Sequence, residues 1–120
     1  MQEFPDKGPN EIRVYTMAFT NDLPASATIA SAVVSAEVHP DSNVEDDAAS
    51  SIIDGSPSIN DSAVTIKGQT VAIGQAISQL ITGGVVGCLY IIRFKATLST
   101  GEIFEEDVSL KVAKFVPAGD

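Results

Sequence analysis

The strict alternation on both sides of Ser99-Thr100-Gly101-Glu102 constrains this chain most. From Gly87 to Ser99, Tyr90, Ile92, Phe94, Ala96 and Leu98 share one parity, and Leu89, Ile91, Arg93, Lys95 and Thr97 share the other. A side-chain period of two belongs to a strand with one face buried. The four residues that follow have hairpin chemistry, with Gly101 supplying positive φ. On the return, Ile103 to Phe115, the apolar Phe104, Val108, Leu110 and Val112 alternate with Glu105, Asp107, Ser109 and Lys111. Glu106 interrupts that pattern and is expected to mark a bulge.

The remaining segments are shorter and fit the same class. Glu11 to Phe19 reads as a strand, with Tyr15, Met17 and Phe19 on its inner face. Thr20 to Ser26 has turn chemistry. Ile29 to Val38 is a second strand with Val34, Ala36 and Val38 inward, ended by His39-Pro40 because proline cannot continue a central ladder. Asp41 to Ser51 reads as an acidic loop with a helical turn around Glu45 to Ala49. Ile52 to Asp54 is a short strand, Asp54-Gly55 a turn, and Ser56 to Asp61 loop. Ala63 to Ile66 and Thr70 to Ile73 flank Lys67-Gly68, as a hairpin or as one kinked strand. Gln75 to Thr82 fits a strand or a short helix equally well, and Gly83-Gly84 is a turn.

These elements predict an all-β, immunoglobulin-like antiparallel β-sandwich of about seven strands. It is immunoglobulin-like in architecture only, since Trp is absent and Cys88 is the only cysteine. Residues 1–10 read as an extended N-terminal arm, because Pro5 and Pro9 remove backbone donors. Residues 11–116 form the domain and 117–120 a short tail.

Charge and cysteine content narrow the function classes. A net charge of −9 and seven scattered basic residues oppose a nucleic-acid face, which needs clustered Lys and Arg. One cysteine excludes an internal disulfide and a cysteine-rich zinc site. Met1 to Pro9 carries Glu3, Asp6 and Lys7 where a secretion signal would be apolar. Gly68 to Ile92 lacks charge over a membrane-spanning length, but its glutamines and glycines break it into strand-length pieces.

Chemistry-bearing residues are few, and no catalytic, cofactor or metal site is assigned. His39 precedes a proline at a strand end, a poor place for a triad base. Cys88 reads as a small buried hydrophobe. Asp41, Asn43 and Glu45 start like a calcium loop, but Asp46 stands where glycine is required and Ile52 where the closing glutamate belongs. Gly83-Gly84-Val85-Val86-Gly87 lacks the lysine of a phosphate loop. Two partner-binding elements remain. Phe4 and Pro5 could anchor the arm in a neighbour's groove, and Glu45, Asp46 and Asp47 could face a basic surface.

Two segments resemble a family of small tailed-phage virion proteins with an immunoglobulin-like fold. One is Lys7-Gly8-Pro9-Asn10-Glu11 followed by Tyr15 and Phe19. The other runs from Thr70 through Ile81, Gly83-Gly84, Gly87 and Tyr90 to Thr97, Ser99, Gly101, Val108, Leu110 and Val112. The resemblance departs from the family at Gly8, where an acidic residue is usual, and in the long Asp41–Asp61 segment. It implies a non-enzymatic structural protein of the virion, made in the host cytoplasm and carried on the tail or head. The role it implies first is an adaptor attaching fibres to the tail through protein–protein contacts, in a symmetric multimer. Capsid decoration is the alternative, and a carbohydrate-binding module is a weaker one, since few aromatics are free of the core pattern. No cofactor, nucleic acid or membrane partner is expected.

Overall fold

A computed structural model describes residues 2–19, 27–66 and 68–113. Its strands are β1 (Gln2–Glu3), β2 (Ile12–Ala18), β3 (Ile29–Val38), β4 (Ile53–Ile59), β5 (Val64–Ile66), β6 (Gln69–Val71), β7 (Ala76–Thr82), β8 (Leu89–Leu98) and β9 (Ile103–Lys111), with a 3₁₀ turn at Ala49–Ile52. They form a four-stranded sheet in the order β1-β9-β8-β3, a three-stranded sheet β2-β7-β4 and a two-stranded ribbon β5-β6. The fold is all-β and sandwich-like, because one core joins the inner faces of the two larger sheets. Tyr15, Met17, Ile77 and Ile81 from one sheet meet Val34, Tyr90, Ile92, Phe94, Val108 and Leu110 from the other.

The long hairpin follows its alternation. Tyr90, Ile92, Phe94, Ala96 and Leu98 are all buried. The bulge expected at Glu106 is absent: the β8–β9 register runs without a shift from Leu89↔Lys111 to Thr97↔Ile103, and Glu106 stands opposite Phe94. A half-buried carboxylate on the inner parity is thus carried without inserting a residue. The strand ends at Lys111, with Val112 adding one bridge to Lys7.

Three other readings change. Gln75 to Thr82 resolves as strand β7, central in its sheet between β2 and β4. Its alternation Ile77, Gln79, Ile81 was hidden by the polar middle residue, which is buried. The turn read at Asp54-Gly55 and the loop after it belong to β4, an irregular edge strand whose register with β7 breaks between Asp54 and Ser58. Across that break the Gln79 side-chain amide donates to the Asp54 and Gly55 carbonyls at 3.0 and 3.2 Å, replacing ladder bonds the strand lacks. The helical turn lies at Ala49–Ile52 rather than around Glu45 to Ala49, which buries Ile52.

Of the two readings for the segment around Gly68 the hairpin holds, with Ile66 opposite Gln69 and Gly68 at φ 79°, while Lys67 lies outside the described residues. The uncharged stretch Gly68 to Ile92 is made of β6, β7 and the start of β8. Among the described residues no helix is long and apolar enough to cross a membrane. The turn read at Thr20 to Ser26 and the tail at 117–120 lie outside the described residues, apart from the turn's neighbours Phe19 and Ala27, both buried.

Candidate docking surface

Three segments converge at one end of the sandwich: the turn after Lys7, the acidic loop after β3, and the glycine loop between β7 and β8. Each is there because strands β2, β3 and β7 end or begin at that edge. Backbone bonds fix the acidic loop, with His39 N–H donating to Leu89 O at 2.9 Å and Ser42 N–H to His39 O at 2.9 Å. The Ser42 hydroxyl donates to Val44 O at 2.7 Å and accepts from Leu89 N–H at 3.1 Å. Cys88 is buried beneath, its Sγ 3.4 Å from Val44 O, so it packs as the small hydrophobe expected.

Tyr90 ties the acidic loop to the glycine loop. Its hydroxyl donates to Asp46 Oδ2 at 2.7 Å and accepts from Val85 N–H at 2.8 Å. Burial is the main cause that pushes its phenol pKa well above the usual value, with the Asp46 bond adding to the shift. Asp46 Oδ1 also accepts from Ala48 N–H at 2.9 Å, so both carboxylate oxygens are engaged within the protein. Glu45 and Asp47 on either side are exposed. Beside them Val85 and Val86 present apolar side chains to solvent, 39% and 41% exposed. Gly84 lets the loop close: it has φ 102°, and a Cβ there would stand 2.6 Å from Val112 Cγ2.

Lys7 forms the third part. The residue is fully buried, and its Nζ donates to Gly83 O at 2.7 Å and to Gly8 O at 2.8 Å. Burial lowers its pKa, opposed by the nearby Glu11 charge. Glu11 Oε1 in turn accepts from the Gly8 N–H, so the Lys7–Glu11 turn is closed by its own side chains. Sequence reading marked Lys7 only as part of a family pattern. Its structural role, an ammonium joining the neighbouring Gly8 carbonyl to the Gly83 carbonyl of a distant loop, has no signal in local periodicity.

The arm lies against its own domain rather than projecting from it. Gln2 and Glu3 pair in parallel with Val108 and Ser109 of β9. Phe4 stacks on Tyr15 at 4.6 Å between ring centroids and meets Phe94 edge-on at 5.9 Å. Tyr15 OH donates to Pro5 O, and Pro5 itself is exposed. The five sequence-predicted contact residues therefore separate into two groups. Glu45, Asp46 and Asp47 sit with the Val85–Val86 tip. Phe4 and Pro5 sit elsewhere, with Phe4 turned toward the core.

His39 Nδ1 accepts from Asp41 N–H at 3.0 Å, a local turn bond. Among the described residues no group of three or more His, Cys, Asp or Glu is placed to hold a metal ion. No curated protein and no solved structure matches the chain. A family model described as podophage GP4 fiber-tail adaptor protein gp77 matches residues 45–111, more than half of the chain.

Proposed function

The chain belongs to the family of the podophage GP4 fiber-tail adaptor protein gp77, and on that premise we propose that it joins a fibre to the tail of a phage particle by protein contact alone. The observation that carries the docking site is the Tyr90 hydroxyl, which locks the exposed carboxylates Glu45 and Asp47 beside the exposed Val85–Val86 tip. All of these residues fall inside the family match. An apolar centre with a charged rim suits a partner whose surface is basic around an apolar pocket. Asp46 holds the loop in shape. Phe4 and Pro5 serve by sealing the arm onto the domain.

The immunoglobulin-like character of the fold is part of the same reading. The order β2-β7-β4 opposite β3-β8-β9 parallels strands B-E-D and C-F-G of a constant-type immunoglobulin sandwich, with β1 added in parallel beside β9. Tyr90 stands near the start of the strand equivalent to F and bonds back to the corner before it, as the tyrosine corner of such sandwiches does. With this reading goes a division into an arm at 1–10, here laid along β9, a domain at 11–116 and a tail at 117–120, and symmetric multimers on the tail suit the adaptor role.

Capture of the fibre and tail proteins of the same particle by the purified full-length chain tests the proposal. The wild type is expected to retain both, and Glu45→Lys with Asp47→Lys, or Val86→Asp alone, to lose one of them while folding normally. Undiminished retention of both partners by these variants would place the docking surface elsewhere.

A further inference from the structure

We infer that Lys7 is a positioning residue of the docking end: it couples the seating of the N-terminal arm on β9 to the shape of the Val85–Val86 tip, so that the tip is set for its partner only while the arm is seated. This deepens the adaptor reading and rests on it for what the tip binds. The arm is held along β9 by the pairing of Gln2 and Glu3 with Val108 and Ser109. Phe4 N–H donates to Ser109 O at 2.9 Å, and Lys7 N–H to Lys111 O at 3.0 Å. Ala113 N–H donates to Lys7 O at 2.8 Å, and Lys7 bridges in parallel to Val112. β1 is only two residues long and lies at a sheet edge, so this seat is the kind of element that opens before the core does.

The tip begins at a soft point of the backbone. Gly83 and Gly84 both have positive φ, at 64° and 102°, and two such glycines in a row leave the chain other shapes to take. A Cβ at Gly83 would meet nothing within 4 Å, so no packing on that side fixes the residue. Its carbonyl is fixed instead by Lys7 Nζ at 2.7 Å. Gly84 lies close against Val112, and the Gly87 N–H donates to Val112 O at 2.7 Å. The attachments of Gly83, Gly84 and Gly87 thus run through Lys7 and Val112, the bridge partners of the arm–β9 seam.

The coupling works in both directions. An ammonium taken out of water must keep its acceptors. Lys7 is fully buried, so a Gly83 that moves away leaves that charge short of a partner, and an arm that lifts off takes the donor from Gly83 O. Seated arm and set tip favour one another, and a partner that selects the set tip holds the arm down by the same factor.

Amide hydrogen exchange on the full-length chain, read by NMR, tests the coupling without any partner. Phe4→Ala loosens the arm where its ring meets Tyr15 and Phe94, and Lys7→Met removes the ammonium but keeps an unbranched stem. In both, the Val85 and Gly87 amides are expected to exchange about tenfold faster relative to the Ile92 and Ala96 amides of β8. Asn60→Ala is the control: it frees the Gln75 and Ala76 amides at the other end of β7 and should leave Gly87 as in the wild type. Unchanged exchange at Val85 and Gly87 in either arm variant, or a rise shared equally by Ile92 and Ala96, overturns the inference. If either variant does not fold, Phe4→Leu decides.

Binding supplies the second readout. A partner docked on the tip cannot touch the buried Lys7, yet Lys7→Met should weaken its capture about tenfold. In the wild type a bound partner should slow exchange at the Phe4 and Lys7 amides. Equal capture by wild type and Lys7→Met overturns the positioning role. A wild type that captures neither fibre nor tail protein overturns the adaptor reading alone, and the exchange result still decides the coupling.

Discussion

Tyr90 and Asp46, far apart in sequence, are joined by a 2.7 Å hydrogen bond that sets the acidic loop against the glycine loop. Because the same hydroxyl also caps the Val85 N–H, removing it strands two polar groups at once. Tyr90→Phe is expected to cost about 1–3 kcal/mol of folding stability, measured by urea unfolding. Strand content should not change. A cost indistinguishable from zero would mean that the loop is held without the tyrosine.

The pH dependence of that stability has a defined sign. Tyr90 and Tyr15 both have folded pKa values above the ordinary 10.0, each mainly because burial disfavours the phenolate. The unfolded chain therefore loses these protons first, and stability falls as pH rises above 10 toward the folded values. Tyr90→Phe should flatten part of that fall in a series of melts at increasing pH.

Lys7 has the opposite sign. Its folded pKa is lowered by burial, so the unfolded chain holds the proton over the interval up to 10.5 and stability rises with pH there. Lys7→Met leaves the Gly83 and Gly8 carbonyls without their donor and should cost about 1–3 kcal/mol near neutral pH. The gap between wild type and variant should widen as pH climbs through that interval, read by chemical denaturation at each pH.

Gly84 and Gly55 offer a matched comparison. Both have positive φ, but a Cβ at Gly55 meets nothing within 4 Å, whereas at Gly84 it meets Val112 Cγ2 at 2.6 Å. Gly55→Ala should cost on the order of 1 kcal/mol from backbone strain alone, and Gly84→Ala distinctly more. Equal melting temperatures for the two variants would contradict the packing described at the β7–β8 loop.

What was legible in the sequence follows the physics of each segment. The β8–β9 hairpin could be read because both strands bury one face and keep strict parity, and the inner face of β3 because Val34, Ala36 and Val38 keep the same period. Strand β7 was ambiguous because Gln79 is a polar residue at a core position, and its reason for being there is a gap in β4. That gap was itself unreadable: Gly55 and Pro57 look like turn residues, yet they sit in an edge strand that tolerates them. The geometry of the candidate docking end is half legible in the sequence. Carboxylates at 45–47 announce themselves by charge, but their link to Val85 runs through Tyr90, a contact between segments distant in sequence. The contact of Phe4 with Tyr15 is not legible, because an apolar residue between a charge and a proline carries no periodicity to show that it folds back.

Salt dependence tests the proposed division of the docking surface into a charged rim and an apolar tip. Glu45 and Asp47 are exposed, so their attraction for a basic partner should weaken as ionic strength rises and the screening length falls below about 8 Å. Glu45→Gln with Asp47→Gln should lower the association rate for the captured partner and remove most of its salt dependence, while changing folding stability by less than about 0.5 kcal/mol. Surface plasmon resonance at several salt concentrations gives both quantities.

A cryo-EM reconstruction of the intact phage particle, with this chain identified in the density, tests the adaptor role most directly. The chain is predicted at the junction of fibre and tail, with the Val85–Val86 end buried against one of the two. Density for it over the surface of the head, with none at that junction, would contradict the account.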